Sequence, residues 1–419
     1  MDETRIVLRN VGKIDPVKTE DYIAQGGYEG LNQALSMSAD DIIDIINASG
    51  LRGRGGAGFP TGIKWGFVTG TDVAQKYIVC NADEGEPGTN KDRIILAGDP
   101  HSVFEGMAIA GLATGANRGY IYLRAEYPYL VAQLNSALAD ARARGYLGSS
   151  ICGSSFDFDI ELYIGAGAYV CGEETALIES IEGKRGEPRY KPPYPGTRGL
   201  WGAPTVINNV ETLANVPQII ANGGAWFKGI GTDKCSGTKL FTLCGNITHP
   251  GVYEFPMGTN LKDLYNAVGG GCADGKTLYA VQTGGASGTI IRADQIDLAM
   301  DIENCAANGA SLGSGAIMFM DEEQCLLEVL ENLMEFFVHE SCGKCTPCRE
   351  GNLRLLEIIR KFSGGEAENS DIAKLENLSS IMTIASLCGL GQASPTAVIS
   401  SLHHFREVFE NAITGTRIL

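Results

Sequence analysis

Through the first half of the chain, short apolar runs alternate with stretches whose apolar residues recur every three or four positions, the pattern of strands alternating with helices. Strands read over 77–80, 120–124 and 158–164, and helices over 40–49, 104–113, 127–143 and 173–181, with a further helix opening near Asn208 and Asn209. Ser38-Ala-Asp-Asp41 predicts a capping box ahead of the 40–49 helix, and Gly50 its stop. After about residue 225 the pattern changes to short strands over 239–245, 251–254 and 277–282 around a helix at 261–268, a small α+β unit. From Glu322 the period is helical throughout. Leu326, Val329, Leu330, Leu333, Phe336 and Phe337 make one apolar face, and helices follow over 350–362, 371–386 and 395–411. A four-helix bundle is the simplest packing of these. The expected organisation is an α/β unit at 1–228, an α+β unit at 229–321 and a helical bundle at 322–419.

Size and charge narrow the function classes. At 419 residues the chain is long for one core, which agrees with several domains. A formal net charge of −17 repels a polyphosphate backbone and argues against nucleic acid as a partner. No apolar run reaches about 18 residues, so no transmembrane helix and no direct membrane insertion are expected. The 12 cysteines are too sparse for a disulfide framework, and no signal peptide opens the chain. Reduced thiols and a cytoplasmic protein are the expectation.

Three of those thiols stand at two-residue spacing in Cys342-Gly-Lys-Cys345-Thr-Pro-Cys348, and Cys388 lies forty residues on. Three thiolates and a distant fourth suit the corners of a [4Fe–4S] cube. Zinc more often takes two paired Cys-x2-Cys units, so it fits less well, and a zinc-stabilised, non-redox nucleotide-binding scaffold is the competing reading. Cys80, Cys244 and Cys325 sit singly among apolar neighbours and read as small core residues. The five histidines show no metal-site spacing; His339, three residues before Cys342, is the one placed to tune a cluster.

Glycine-rich segments mark the remaining chemistry. Gly53-x-Gly55-x-x-Gly58 has the letters of a dinucleotide fingerprint, but a helix precedes it where a strand is required. It is not a P-loop either, since Ile63 follows Gly62. What remains is a loop whose N–H groups, with Lys64, are available to an anion. Polar residues from Asn81 to Arg93 crowd beyond the carboxyl end of a buried strand, where open α/β sheets bind ligands. At 165–175 a strand runs through glycines into a helix that carries Glu173 and Glu174 at its start, a place for an anion or a ribose. The basic, proline-rich 184–201 segment reads as a covering loop with aromatics able to stack on a planar ring. Thr283-Gly-Gly-Ala-Ser-Gly288 reads as a turn or a contact loop.

Five runs in order carry a resemblance. They are Gly53-Arg-Gly-Gly-Ala-Gly-Phe-Pro-Thr-Gly62, Asn81-Ala-Asp-Glu-Gly-Glu-Pro-Gly88, Cys171-Gly-Glu-Glu-Thr-Ala-Leu177, Gly199-Leu-Trp-Gly-x-Pro-Thr-x-x-Asn-Asn-Val-Glu-Thr212 and Glu340-Ser-Cys-Gly-Lys-Cys-Thr-Pro-Cys-Arg-Glu-Gly351. Together they closely resemble the flavin- and NADH-binding subunit of respiratory complex I and the related diaphorase subunits of NAD-linked hydrogenases, bifurcating ones included, and of formate dehydrogenases. The resemblance implies a Rossmann-like flavin domain, a ubiquitin-like β-grasp domain and a C-terminal four-helix bundle. It implies that Gly53, Arg54, Gly55, Gly56, Ala57, Gly58 and Lys64 hold the FMN phosphate, and that Asn81, Asp83 and Glu84 contact ring and ribityl chain. Gly172 and Glu173 would lie nearby, with Asn208 and Asn209 at the phosphate end.

For NADH the resemblance implies Phe59, Phe67 and Tyr194 around the adenine, the last usually Phe in the family, and Glu86, Glu174 and Lys191 on polar groups. A carboxylate near the adenosine ribose would favour NAD over NADP. Cys342, Cys345, Cys348 and Cys388 would bind the [4Fe–4S] cluster. Hydride from NADH would pass directly to FMN, with no acid–base residue, and then singly through the cluster. Family members often carry a thioredoxin-like [2Fe–2S] domain or a ferredoxin tail, and neither is found in this sequence. The expected partners are therefore a [2Fe–2S] subunit and a larger iron–sulfur subunit in a hetero-oligomer.

Overall fold

The computed structural model describes residues 1–71 and 73–415. Its first sheet has four parallel strands, β1 (Tyr77–Ala82), β2 (Arg118–Leu123), β3 (Asp159–Ile164) and β4 (Thr205–Asn209), in the order β3-β2-β1-β4. The chain builds outward from β1 through β2 to β3, then returns to the other side of β1 for β4. That reversal opens a crevice beyond the carboxyl ends of β1 and β4, the place where doubly wound sheets bind ligands. Asn81 and Asn209 face each other there in register.

Behind the sheet lie the helices Pro100–Thr114 and Val210–Asn222, both largely buried and packed on each other. The helix Ala39–Ser49 begins with the expected capping box, Ser38 and Asp41 each bonded to the other's backbone, and ends at Gly50 in the left-handed region. One expectation needs adjustment. Asn208 and Asn209 do not open a helix directly but end β4, whose Thr-Val-Ile run is too short to stand out by period, and Asn209 then caps the helix that follows.

The second sheet has five strands, β5 (Thr238–Gly245), β6 (Gly251–Pro256), β7 (Leu278–Thr283), β8 (Thr289–Arg292) and β9 (Ala316–Asp321), ordered β6-β5-β9-β7-β8 with β5 and β9 parallel. One of its faces has a core of its own, while Ala280, Ile290 and Met320 join a cluster shared with Val79 and Ile207 of the first sheet and with the helices that follow. The helices Leu326–Glu340, Thr346–Gly364, Asn369–Ala385, Thr396–His404 and Arg406–Thr414 follow, packed against their neighbours. The single helix expected over 395–411 is two, broken at Phe405, whose ring is fully buried. The last four residues of the expected bundle lie outside the described residues. Cys80 is buried as expected and Cys244 half-buried, but Cys325 is exposed, because it stands just outside the helix Leu326–Glu340 as its N-cap and contributes nothing to the core.

Candidate functional site

The crevice beyond β1 and β4 is a cleft of about 260 Å³. Of the residues singled out from the sequence, Gly55, Asn81, Asp83, Glu84, Glu86, Gly172, Glu173 and Asn209 line it. Gly55 permits a close approach: a side-chain carbon there would lie 3.0 Å from Asn209 Cβ. Asn81 donates to the Gly172 carbonyl at 2.8 Å and so ties the end of β1 to the turn after β3.

The cleft's carboxylates differ sharply in how they are partnered. Glu84 accepts from the Asp92 and Arg93 amides and the Tyr127 hydroxyl, so it is committed to the start of the helix Lys91–Gly98. Glu173 accepts from the Thr175 and Ala176 amides and from Lys191 Nζ. The start of the helix Glu174–Ile181, expected to take an anion, is thus already capped by the protein's own carboxylate. Asp83 is the exception. Both of its oxygens are buried without a partner, and burial raises its carboxyl to about 7. An unsatisfied buried carboxyl in a polar cleft is the signature of a missing ligand donor, and the hydroxyls of a ribityl chain are such donors.

Three expected contacts turn away from the cleft. The Arg54 guanidinium is fully buried on the carbonyls of Arg52, Ser236 and Thr238, where it braces the glycine loop from behind. Asn208 accepts from the Trp65 indole at 2.9 Å. Lys64 Nζ lies 2.9 Å from Glu174 and 2.8 Å from the Ile207 carbonyl. Glu174 is also 3.3 Å from Lys191, and although burial opposes it, the two lysines hold the carboxyl below its usual range. Beside this group Phe59, Phe67 and Tyr194 are exposed, and the two phenylalanine rings lie 6.2 Å apart.

Sequence reasoning passed over other residues. Among the described residues, Lys91 is the only lysine lining the cleft; its fully buried ammonium reaches Asp92 at 2.7 Å, Glu211 at 3.0 Å and Asn209 at 3.1 Å. Glu211 also binds Lys239 at 2.6 Å. Burial works against the Glu211 carboxylate, but Lys239 and Lys91 keep it below its ordinary range. Thr89, Tyr169, Ser314, Val170 and Leu390 line the cleft as well, brought there from segments far apart in sequence. Thr89, Tyr169 and Val170 lie within the two segments marked by the sequence, but no local pattern marks Ser314 or Leu390.

A second, smaller pocket holds the four thiols Cys342, Cys345, Cys348 and Cys388 among Val170, Pro188, Leu387 and Leu390. Cys345 caps the helix Thr346–Gly364 and Cys388 the short helix Gly389–Ala393. Asn352 Nδ2 donates to Cys348 Sγ at 3.3 Å, and the Leu387 amide reaches Cys345 Sγ at 3.5 Å. These are donors suited to thiolates. Ser341 Oγ also lies 3.3 Å from Cys348, whereas His339 is exposed on its helix. Among the described residues no three of these sulfurs lie within 4.8 Å of one another. Val170 and Leu390 line both the pocket and the cleft.

Comparison with known proteins agrees with this layout. The family model for the Nuo51 FMN-binding domain matches residues 46–218, that for the NADH-ubiquinone oxidoreductase-F iron-sulfur binding region residues 328–412, and that for the SLBB domain residues 240–291. An NADH-quinone oxidoreductase subunit of Rhizobium meliloti is 46% identical over 96% of both chains. The chain belongs to the Nuo51 family of NADH-quinone oxidoreductase subunits.

Relatives in the Nuo51 family include the NADP-reducing hydrogenase subunit HndC of Solidesulfovibrio fructosivorans, 52% identical over 97% of this chain and 83% of that one. A solved structure of an NAD+-reducing [NiFe]-hydrogenase in the H2-reduced state aligns at TM-score 0.84 and 40% identity over 92% of this chain. This chain spans 65% of that hydrogenase chain. As a Nuo51-type protein it is an oxidoreductase subunit that passes electrons from NADH through FMN to a [4Fe–4S] cluster. The FMN-binding match encloses the cleft-bearing sheet, and the iron–sulfur match encloses all four thiols.

Proposed function

We propose that FMN lies in the cleft, that the [4Fe–4S] cluster is held by Cys342, Cys345, Cys348 and Cys388, and that NADH enters over the exposed aromatic rim. The observation that carries this reading is the shared wall: Val170 and Leu390 border both the cleft and the thiol pocket, so the two lie side by side. Bound there, FMN supplies the exchange of a two-electron hydride for single electrons, and the cluster supplies a one-electron carrier.

The chain's own residues do the placing. Gly55, Gly56, Ala57 and Gly58 offer main-chain N–H groups to the phosphate, Gly53 closes the loop by donating its N–H to the Phe59 carbonyl, Asn209 closes that end, and Arg54 and Asn208 hold the loop and Trp65 from behind. Asp83, Asn81, Glu84, Gly172 and Glu173 form the polar wall for ring and ribityl chain. Phe59, Phe67 and Tyr194 stack the adenine, and Glu86, Glu174 and Lys191 take polar groups of the nucleotide. Lys64 is assigned to this second set through Glu174. Because Glu174 is shared by Lys64 and Lys191, its repulsion of a 2′-phosphate is muted, which suits a family that includes a relative named as NADP-reducing.

The domain reading is an FMN/NADH unit at 1–228, a β-grasp unit at 229–321 and a helical bundle carrying the cluster at 322–419. The order β6-β5-β9-β7-β8, with its first and last strands parallel at the centre, supports the β-grasp assignment. Partner iron–sulfur subunits, a thioredoxin-like [2Fe–2S] protein among them, take the electrons onward in the cytoplasm. No helix among the described residues is long and apolar enough to cross a membrane. Anaerobic purification tests the reading: one FMN, four irons and four sulfides per chain are expected, and zinc without iron or flavin would overturn it.

A further inference from the structure

The five-stranded sheet does more than pack beside the cleft. Its Thr283–Gly288 turn reaches across to Glu86, whose carboxylate accepts from the Ser287 amide at 2.9 Å, from the Ser287 hydroxyl at 3.3 Å and from the Tyr169 hydroxyl at 2.6 Å. Gly285 stands with φ +94°, and any side-chain carbon there would sit 2.5 Å from Glu86 Cγ, so this turn is shaped to the glutamate. A second tie lies alongside, where the hydroxyls of Thr89 and Ser314 meet at 2.7 Å and Ser314 itself lines the cleft. A turn that served only to join β7 and β8 would have no reason to spend an amide and a hydroxyl on a carboxylate 201 residues away in sequence.

We propose that Ser287 is a positioning residue for nucleotide binding: from the second sheet it fixes the orientation of the Glu86 carboxylate in the cleft wall, so that the nucleotide site is complete only when the two sheets are docked. The inference rests on the reading above that Glu86 contacts the nicotinamide nucleotide. The Ser287 amide, the Ser287 hydroxyl and the Tyr169 hydroxyl together hold the Glu86 carboxylate in one orientation, and Glu86 lines the cleft. Removing the hydroxyl takes away one of the three donors, loosens the carboxylate on its Ser287 side and weakens nucleotide binding, while the proposed flavin contacts on the first sheet are left in place.

The test uses the assembled complex carrying Ser287→Ala, Ser287→Thr and, in parallel, Glu86→Gln. Flavin content, NADH-dependent diaphorase kinetics and the Kd for NAD+ from perturbation of the flavin absorption band are measured for each. Ser287→Ala is expected to raise KM for NADH and Kd for NAD+ by roughly tenfold, the size of one hydrogen bond to a charged group, at unchanged kcat and flavin content. Ser287→Thr is expected to restore both. If Glu86→Gln raises KM while Ser287→Ala matches the wild type, the positioning role is overturned and the Glu86 assignment stands. If Glu86→Gln itself binds NAD+ normally, the assignment of Glu86 falls and the inference with it. Loss of flavin in Ser287→Ala together with failure of Ser287→Thr to recover it would mean that the serine merely holds the fold.

Discussion

The cleft and the thiol pocket share a wall yet are built on opposite plans. In the cleft most polar groups are already satisfied by the protein: Glu84 caps a helix, Glu173 caps another, and Lys91 and Glu211 neutralise each other in the buried interior. Only Asp83 waits for a partner. In the pocket the reverse holds, since four sulfurs lie loosely spaced in an apolar wall, and burial pushes the Cys348 thiol up to about 11. On the proposed reading, the flavin site would be preformed by folding, whereas the cluster site would be completed by its metal, which must displace the thiol protons.

Removing each group in turn breaks or sharpens that contrast. Anaerobic chelation of iron should have the largest effect, because the 342–348 loop, Cys388 and their helices lose their common anchor. Structural metal binding is worth on the order of 10 kcal/mol, so Tm should drop by roughly 10 °C or more while the flavin stays bound. Differential scanning calorimetry with simultaneous flavin absorbance checks this. Equal losses on stripping FMN alone would erase the distinction between the two sites.

A smaller effect is expected in the cleft. The Asp83 carboxyl sits at about 7 in the folded chain, against an ordinary value near 4 when unfolded. Between those values the folded protein keeps a proton that the unfolded chain has released. Stability of the FMN-free protein therefore falls as pH climbs from about 4 through 7, and the penalty is fully present above 7. Asp83→Asn removes it. The variant should be more stable than the wild type by up to ~4 kcal/mol at pH 8, the equivalent of about three pKa units, and no more stable at pH 4. Urea unfolding at the two pH values measures the gap. Iron content should not change, and a pH-independent gap would mean that Asp83 is not the buried orphan of the cleft.

How far the sequence speaks differs between the two sites for the same reason. The thiols announce themselves by spacing, and the pocket collects all four. Strands β1, β2 and β3 follow from their apolar runs, while β4 hid because only two apolar residues, Val206 and Ile207, precede its two asparagines and look like the approach to a helix. In the cleft, residue type and position name the right neighbourhood but not the direction in which a side chain turns. Arg54, Lys64 and Asn208 flank cleft residues yet point elsewhere, because carbonyls and a carboxylate satisfy Arg54 and Lys64 first and the Trp65 indole donates to Asn208. Lys91 and Tyr169 lie in segments the sequence marks without naming them, and Ser314 comes to the cleft only through tertiary packing. Ser287 was visible as part of a glycine-rich turn, but its partner, 201 residues away, was not.

The central claim is that electrons entering the cleft cross the Val170–Leu390 wall into the thiol pocket, and mixing NADH with the anaerobic protein, followed by millisecond freeze-quenching and low-temperature EPR, tests it most directly. The account predicts a reduced [4Fe–4S] signal that grows as the flavin absorbance bleaches, and a Cys348→Ser variant that bleaches without it. Bleaching of the wild-type flavin with no cluster signal would contradict the account.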